Sequence, residues 1–421
     1  MPVECVPARP VVRAKGAIST VKKIRCIHVI TRLILGGAQE NTLLTVEGLD
    51  RTGRYRTTLV TGPAVGPEGT LIERARANNV DLEILDAMRR AIHPWRDLKT
   101  YRALIDLFVR EKPAIVHTHS SKAGILGRLA AEQARVPVII HTIHGPPFHA
   151  NQNALASWMY KRLERHAAQC SSRIISVADA MTDQFVAAGV APREKFVTIH
   201  SGMEVESFLA ETDARERVRR EFDISPDDLV IGKIARLFHL KGHDHVIRAF
   251  ASVHREFPNA RLLFVGDGIL RDKLLALAER LGVAGRIVFA GLVPAERIPE
   301  MIAAMDCLVH ASLREGLARV LPQALLSGCP VVSYDVDGAR EVILDGETGR
   351  LVPARSVEGL RKAMADTLRD LDGARRMALR GRELFTDRFR AETMVRRIAE
   401  VYEEELAKAG VGKAERLKEE G

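Results

Sequence analysis

Two loops in this chain combine residue types suited to handling an anionic leaving group. One is Arg236-Leu237-Phe238-His239-Leu240-Lys241-Gly242, which follows a β-branched apolar run. An Arg and a Lys five positions apart across a strand-to-helix loop can both turn toward one diphosphate and neutralise the charge that builds as it leaves. The other runs from Ser312 through Glu315, Gly316, Leu317, Ala318 and Arg319 to Pro322, Gln323 and Gly328. Pro322 suits the first position of a helix and Gly328 its stop. Glu315 to Leu321 is therefore expected as an exposed loop feeding a helix N-terminus, an anion site with a carboxylate at its mouth.

A third loop carries Gly36-Gly37 ahead of a helical run, where backbone N–H groups can approach an anion. A plain tight turn reads equally well there, and the pair is not the G-x-G-x-x-G of a dinucleotide site. His117 and His119 end one predicted strand and His144 the next. Histidines at strand ends suit hydrogen bonding to hydroxyl groups or polarising an oxygen. Structural turn histidines remain open as an alternative. His117 and His119 have metal-ligand spacing, but no carboxylate or cysteine accompanies them in the local sequence, so no metal is expected. Gly266-Asp267-Gly268 and Gly291-Leu292 either leave room for a flat base or are packing turns.

These loops need a scaffold that brings them together, and the pattern supplies two. Short β-branched runs alternate with helical-period segments from Ile24 to His200 and again from Leu229 to Tyr334. That alternation is the mark of βαβ units and parallel sheets, whose ligands sit beyond the carboxyl ends of the strands. The chain is thus read as α/β, with two doubly wound domains. The expected division is a loose arm over 1–20, a domain over 21–204, a linker over 205–228, a second domain over 229–385, and a C-terminal helix over 386–421 returning toward the first. After Pro353 only helix is expected.

Composition narrows the class. Apolar residues at 46% and charged residues at 28% exclude a disordered or fibrous chain. No run approaches a membrane-spanning length. Cys5, Cys26, Cys170, Cys307 and Cys329 have no paired spacing and read as core thiols of a reducing compartment. Charge is uneven: residues 1–200 carry 28 Lys and Arg against 17 Asp and Glu, and the remainder 35 against 37. A basic first half attracts anionic lipid or nucleic acid, although an Arg-rich solvated surface would look the same.

Taken together, these segments resemble glycosyltransferase family 4 over Ile24 to about Tyr402. The resemblance rests on Gly36-Gly37, His117-x-His119, His144-Gly145, Arg236 with Lys241-Gly242, Gly266-Asp267-Gly268 and Glu315 to Gly328. It implies the GT-B fold, two facing Rossmann-like domains with a helical tail. It also implies metal-independent, retaining transfer from a nucleoside-diphosphate sugar of UDP or GDP type, with no cofactor. Glu315, His144, Arg236 and Lys241 would be catalytic. Gly36, Gly37, Gly266, Asp267, Leu292, Gly316, Leu317, Ala318, Arg319 and Gln323 would meet the donor, and His117 and His119 would lie on the acceptor side. The family's second motif carboxylate falls at Gln323, a departure that removes charge assistance from a ribose contact.

The implied acceptor is a glycan or lipid-linked molecule of polysaccharide or glycolipid biosynthesis, and no nucleic acid partner is expected. Arg89, Arg90, Trp95, Arg96, Lys99 and Arg102 form a basic stretch with aromatic punctuation, suited to peripheral contact with the cytoplasmic face of an anionic membrane. Two other readings compete: a nucleotide-sugar epimerase of the same architecture, and a basic lipid- or nucleic-acid-binding protein without catalysis.

Overall fold

The computed structural model describes residues 23–65, 69–148, 153–210 and 213–411. The expected N-terminal arm, Cys5 and the end of the tail lie outside the described residues. The first unit runs β1 (Ile24–Arg32), α1 (Gly37–Arg51), β2 (Tyr55–Gly62), α2 (Ile72–Ala77), β3 (Asp81–Ile84), α3 (Pro94–Glu111), β4 (Ile115–His119), α4 (Ser121–Gln133), β5 (Val138–Ile143), α5 (Ala154–Gln169), β6 (Arg173–Ser176), α6 (Asp179–Ala187) and β7 (Phe196–Thr198). These strands form one parallel sheet in the order β3-β2-β1-β4-β5-β6-β7. Helices cover both faces of its centre, so β4 and β5 are buried along their whole length.

Next come α7 (Glu206–Leu209) and α8 (Ala214–Glu221), both inside the stretch expected as linker. They are held there because Phe208 and Val218 enter the apolar core beneath the second sheet, and Arg219 bonds Asp306 at 2.8 Å.

The second unit holds β8 (Leu229–Ile234), α9 (His243–Glu256), β9 (Ala260–Val265), α10 (Arg271–Arg280), β10 (Ile287–Phe289), α11 (Ile298–Ala303), β11 (Cys307–His310), α12 (Val320–Leu326), β12 (Val331–Asp335), β13 (Arg350–Pro353), α13 (Val357–Arg369) and α14 (Leu371–Phe389). Its parallel sheet is ordered β10-β9-β8-β11-β12-β13. The edge strand β13 was not anticipated; four residues give too little alternation to read. α12 begins two residues before Pro322, which sits inside its first turn and still costs no intrahelical bond.

The last helix, α15 (Ala391–Lys408), crosses back to the first sheet. Its buried Met394, Ile398 and Tyr402 pack with Cys26, Ile115 and Val138. The two crossings between the units lie side by side, where Met203 N–H donates to Phe389 O at 2.8 Å and Ala391 N–H to Met203 O at 3.1 Å.

Candidate active site

The carboxyl ends of the two sheets meet across a cleft of about 720 Å³. On the second-sheet side, the β8–α9 loop carries Lys241 between two residues in the left-handed region, Leu240 (φ 66) and Gly242 (φ 65). A side chain at Gly242 would stand 2.0 Å from Ala311 O, so the loop lies tight on the end of β11. That contact aims Lys241 at the β11–α12 loop, where its Nζ donates to Glu315 Oε1. Burial raises the Glu315 carboxyl, but Lys241 and His310 more than offset this and hold it below its ordinary value, so it stays ionised. Arg236 is exposed in the cleft, with its guanidinium 5.1 Å from the Phe238 ring centre.

The Glu315 loop was expected to be exposed; instead Gly316, Leu317 and Ala318 are buried. The reason is contact with the first unit. A Cβ on Gly316 would be 2.5 Å from His144 O, and Arg314 donates to Pro146 O. Arg319 donates to Gly37 O at 3.2 Å and lies 2.8 Å from Glu40 Oε2, at the start of α1. Asp337, which sequence reasoning missed, braces the loop from behind: its Oδ2 accepts from Glu315 N at 2.6 Å and its Oδ1 from Gln184 Nε2 at 2.7 Å.

The cleft lining thus brings together Gly36, Gly37, His144, Arg236, Lys241, Glu315 to Arg319 and Gln323. Gly266, Asp267 and Leu292 are not in that lining. Asp267 O accepts from Leu237 N at 2.9 Å and Gly266 N–H donates to Gly291 O at 2.8 Å, so these turns brace the Arg236 loop, while Leu292 is 54% exposed.

His117 and His119 are also displaced from their expected place on the acceptor side: both are fully buried. They belong to a hydrogen-bonded chain that runs from the core to the cleft. Thr142 Oγ1 meets His117 Nε2 at 2.7 Å, and His117 Nδ1 meets the Tyr402 hydroxyl at 2.6 Å. The same hydroxyl meets His28 Nε2 at 3.2 Å, His28 Nδ1 meets His119 Nε2 at 3.0 Å, and His119 Nδ1 meets His144 Nε2 at 3.2 Å. Only His144 reaches the cleft. Burial holds His28, His117, His119 and His144 well below the ordinary imidazole value, Arg319 adding to the effect at His144. Each ring is therefore neutral, with one nitrogen to donate and one to accept; His28, His117 and His119 engage both nitrogens within the chain, and His144 engages its Nε2.

Ring nitrogens of His28, His117 and His119 lie within 4.8 Å of one another. The sheet thus adds the third imidazole that the local sequence lacks, although these nitrogens are already engaged with each other, Tyr402 and Thr142.

Residues 36–202 match the glycosyl transferase 4-like domain, and residues 214–384 match glycosyl transferases group 1. The chain is 31% identical over 285 residues to the GDP-mannose-dependent alpha-(1-6)-phosphatidylinositol monomannoside mannosyltransferase of Mycolicibacterium smegmatis, covering 66% of this chain and 73% of that one. The chain belongs to glycosyltransferase family 4. A second relative, the UDP-Gal:alpha-D-GlcNAc-diphosphoundecaprenol alpha-1,3-galactosyltransferase of Escherichia coli, is 26% identical over 349 residues, 82% of this chain and 88% of the relative. Among solved structures, Anabaena Alr3699/HepE in complex with UDP and glucose superposes with a TM-score of 0.78 at 21% identity, covering 90% of this chain and all of the other. Sucrose-phosphate synthase from Thermosynechococcus elongatus gives 0.77 at 18% identity, covering 92% and 100%. The fold of this glycosyltransferase is GT-B. No helix among its described residues is long and apolar enough to cross a membrane.

Proposed function

We propose that this glycosyltransferase moves a sugar, with retention, from a nucleoside-diphosphate sugar of UDP or GDP type to a glycan or lipid-linked acceptor at the cytoplasmic face of a membrane. The observation that carries this reading is the pairing of Lys241 with Glu315 on the second-sheet wall of the cleft, beside Arg236 and facing His144. Arg236 and Lys241 would neutralise the diphosphate as it leaves. Glu315, ionised, would accept hydrogen bonds from donor-sugar hydroxyls, and Gln323 would take a ribose hydroxyl. The leaving diphosphate would take the acceptor proton, so no protein nucleophile is required. The second unit would hold the donor and the first the acceptor.

Names of the relatives support the donor and acceptor classes, since one is GDP-mannose-dependent and acts on a phosphatidylinositol monomannoside and the other joins galactose to a diphosphoundecaprenol-linked sugar. The first unit adds a surface suited to such acceptors. Trp95 is 78% exposed on the first turn of α3, and Leu155, Trp158 and Met159 are exposed on the first turns of α5. Both helices follow strands of one parallel sheet, so their N-terminal ends lie at its carboxyl edge, beside the cleft. Arg90, Arg96, Lys99, Arg102 and Arg162 are exposed around them, the mixture of apolar tips and cations that rests on anionic headgroups.

The test is a donor panel of UDP- and GDP-sugars with membrane extract as acceptor. Label transferred to lipid or glycan, with the anomeric configuration kept, supports the proposal. Conversion of the donor in the absence of acceptor would favour an epimerase instead. Sedimentation with phosphatidylglycerol vesicles, lost in Trp95→Ala/Trp158→Ala, tests the membrane surface separately.

A further inference from the structure

Lys233 has no part in the reaction described above. It sits on β8, two strands in from the edge of the second sheet, paired in register with Phe264 of β9, and is 1% exposed. Its Nζ has no hydrogen-bond partner among the described residues. Next to it, at the end of β11, the buried His310 leaves Nε2 likewise unpartnered, 3.9 Å from Glu315 Oε1. The charged and titratable groups whose field reaches Lys233 are Lys241, Glu315 and Asp244, and Lys233 in turn acts on His243 at the start of α9 and His310 at the end of β11. A buried polar atom without a partner is costly, so a lysine in this place calls for an explanation.

The Lys241–Glu315 pair supplies one. While Lys241 neutralises Glu315, a second cation on β8, the strand that leads into the Lys241 loop and pairs with β11, has nothing to balance, and a neutral amine is the form that fits. Once a diphosphate draws Lys241 into the cleft, Glu315 loses its counter-ion and remains a half-buried carboxylate. We propose that Lys233 takes up a proton from the medium when a nucleoside diphosphate engages Lys241, and replaces Lys241 as the counter-ion of Glu315. This inference rests on the donor site proposed above. Lys233 is thereby a positioning residue: it keeps Glu315 ionised and in place while Lys241 is occupied elsewhere.

Burial, with Lys241 adding to it, brings Lys233 down to about 7, so the proton exchanges within the neutral range. Moving Lys241 away removes a repulsion, and the incoming anion adds an attraction; both favour the charged amine. At about pH 8 the free lysine is mostly neutral, and binding must recruit the proton. Below about pH 7 it is already charged, so affinity is highest there and falls as pH rises.

The experiment is titration calorimetry of the whole chain with UDP and with GDP at about pH 8, in two buffers of different ionisation enthalpy. At that pH the terminal phosphate is itself fully ionised. The wild type is expected to take up close to one proton on binding, and Lys233→Met none. Wild-type affinity should weaken by up to about tenfold per pH unit above neutrality, with the Met variant flat. Lysine 13Cε NMR assigns the proton independently of the variant, since one signal should titrate near neutrality in the free protein and stay charged to about pH 9 with ligand. Binding without proton uptake, or equal uptake in Lys233→Met, overturns the inference and leaves the donor site standing. Failure of both diphosphates to bind would overturn the donor site as well.

Discussion

Arg319, in the β11–α12 loop of the second unit, lies 2.8 Å from Glu40 in the first turn of α1 of the first unit. The pair spans the cleft, and both side chains are mostly shielded from solvent, at 14% and 20% exposure. Partial burial makes such a pair stronger than an exposed one, which contributes about 0–1 kcal/mol, and leaves a charge behind if one partner is removed. Glu40→Gln is therefore expected to loosen the ligand-free cleft and to raise the KM for donor several-fold, with a smaller effect on kcat. Steady-state kinetics with small-angle scattering of the free protein check this; unchanged KM and radius of gyration would show that the latch carries no closing energy.

Lys241 and Arg236 should matter to the chemistry itself. Removing one preorganised partner of a developing charge costs about 2.7–4 kcal/mol, or on the order of 100- to 1000-fold in rate. Lys241→Ala and Arg236→Ala are each expected to lose turnover on that scale and to weaken nucleoside-diphosphate binding; thermal stability should barely change in Arg236→Ala, whose side chain is exposed, and fall modestly in Lys241→Ala, which leaves Glu315 without its ion-pair partner. Full turnover in both variants would rule out the proposed donor site.

Tyr402 is distant in sequence from everything it bonds. Its hydroxyl meets both His28 and His117, and through His28 and His119 it sets which nitrogen of His144 carries the proton. Tyr402→Phe leaves two buried ring nitrogens without that partner, at about 1–3 kcal/mol each, so a lower unfolding midpoint is expected. His144 should also change from one tautomer to a mixture in 15N NMR of labelled histidine. A lower midpoint with an unaltered tautomer would mean that Tyr402 only packs.

The scaffold was largely legible in the sequence because βαβ alternation is local: every strand that reads as a β-branched run in the chain is present, and only the four-residue β13 was missed. The loops of Arg236–Lys241 and Glu315–Gln323 were legible for the same reason. What could not be read is what depends on the two units touching. The burial of Gly316 to Ala318, the bracing by Asp337 and the Arg319–Glu40 pair all arise across long sequence separations. His117 and His119 were misplaced because a histidine near the end of a strand reads the same in sequence whether it is buried or open to a cleft, and the partners that settle it are distant: Tyr402 for His117, from a helix more than 280 positions away, and His28 for His119, from β1.

Gln323 allows a gain of function to be tested. It lines the cleft in the first turn of α12. A carboxylate there would add charge assistance to a ribose hydrogen bond, about 1 kcal/mol. Gln323→Glu is expected to tighten nucleoside-diphosphate-sugar binding roughly fivefold with kcat little changed, because the ribose is remote from the reacting carbon. Weaker binding in that variant would place Gln323 away from the ribose.

The neutral histidine chain makes a prediction about acid. His28 is held down to about 3, and His117, His119 and His144 lie well below their ordinary value because of burial. In the unfolded chain each titrates near about 6.5. Between those values the unfolded state binds protons that the folded state refuses, so the stability contributed by the neutral rings is complete above about pH 6.5 and is lost as pH falls toward the folded values. Each such group contributes a slope of about 1.4 kcal/mol per pH unit, and four acting together give a steep decline. Thermal melts should therefore be nearly flat from pH 8 to 7 and drop sharply between pH 6 and 5. His119→Asn, which replaces one titrating ring with an amide, should reduce the slope by about one part in seven, since burial holds His141, His243 and His310 down as well. A midpoint that holds constant down to pH 5 would show that these rings are not buried neutral.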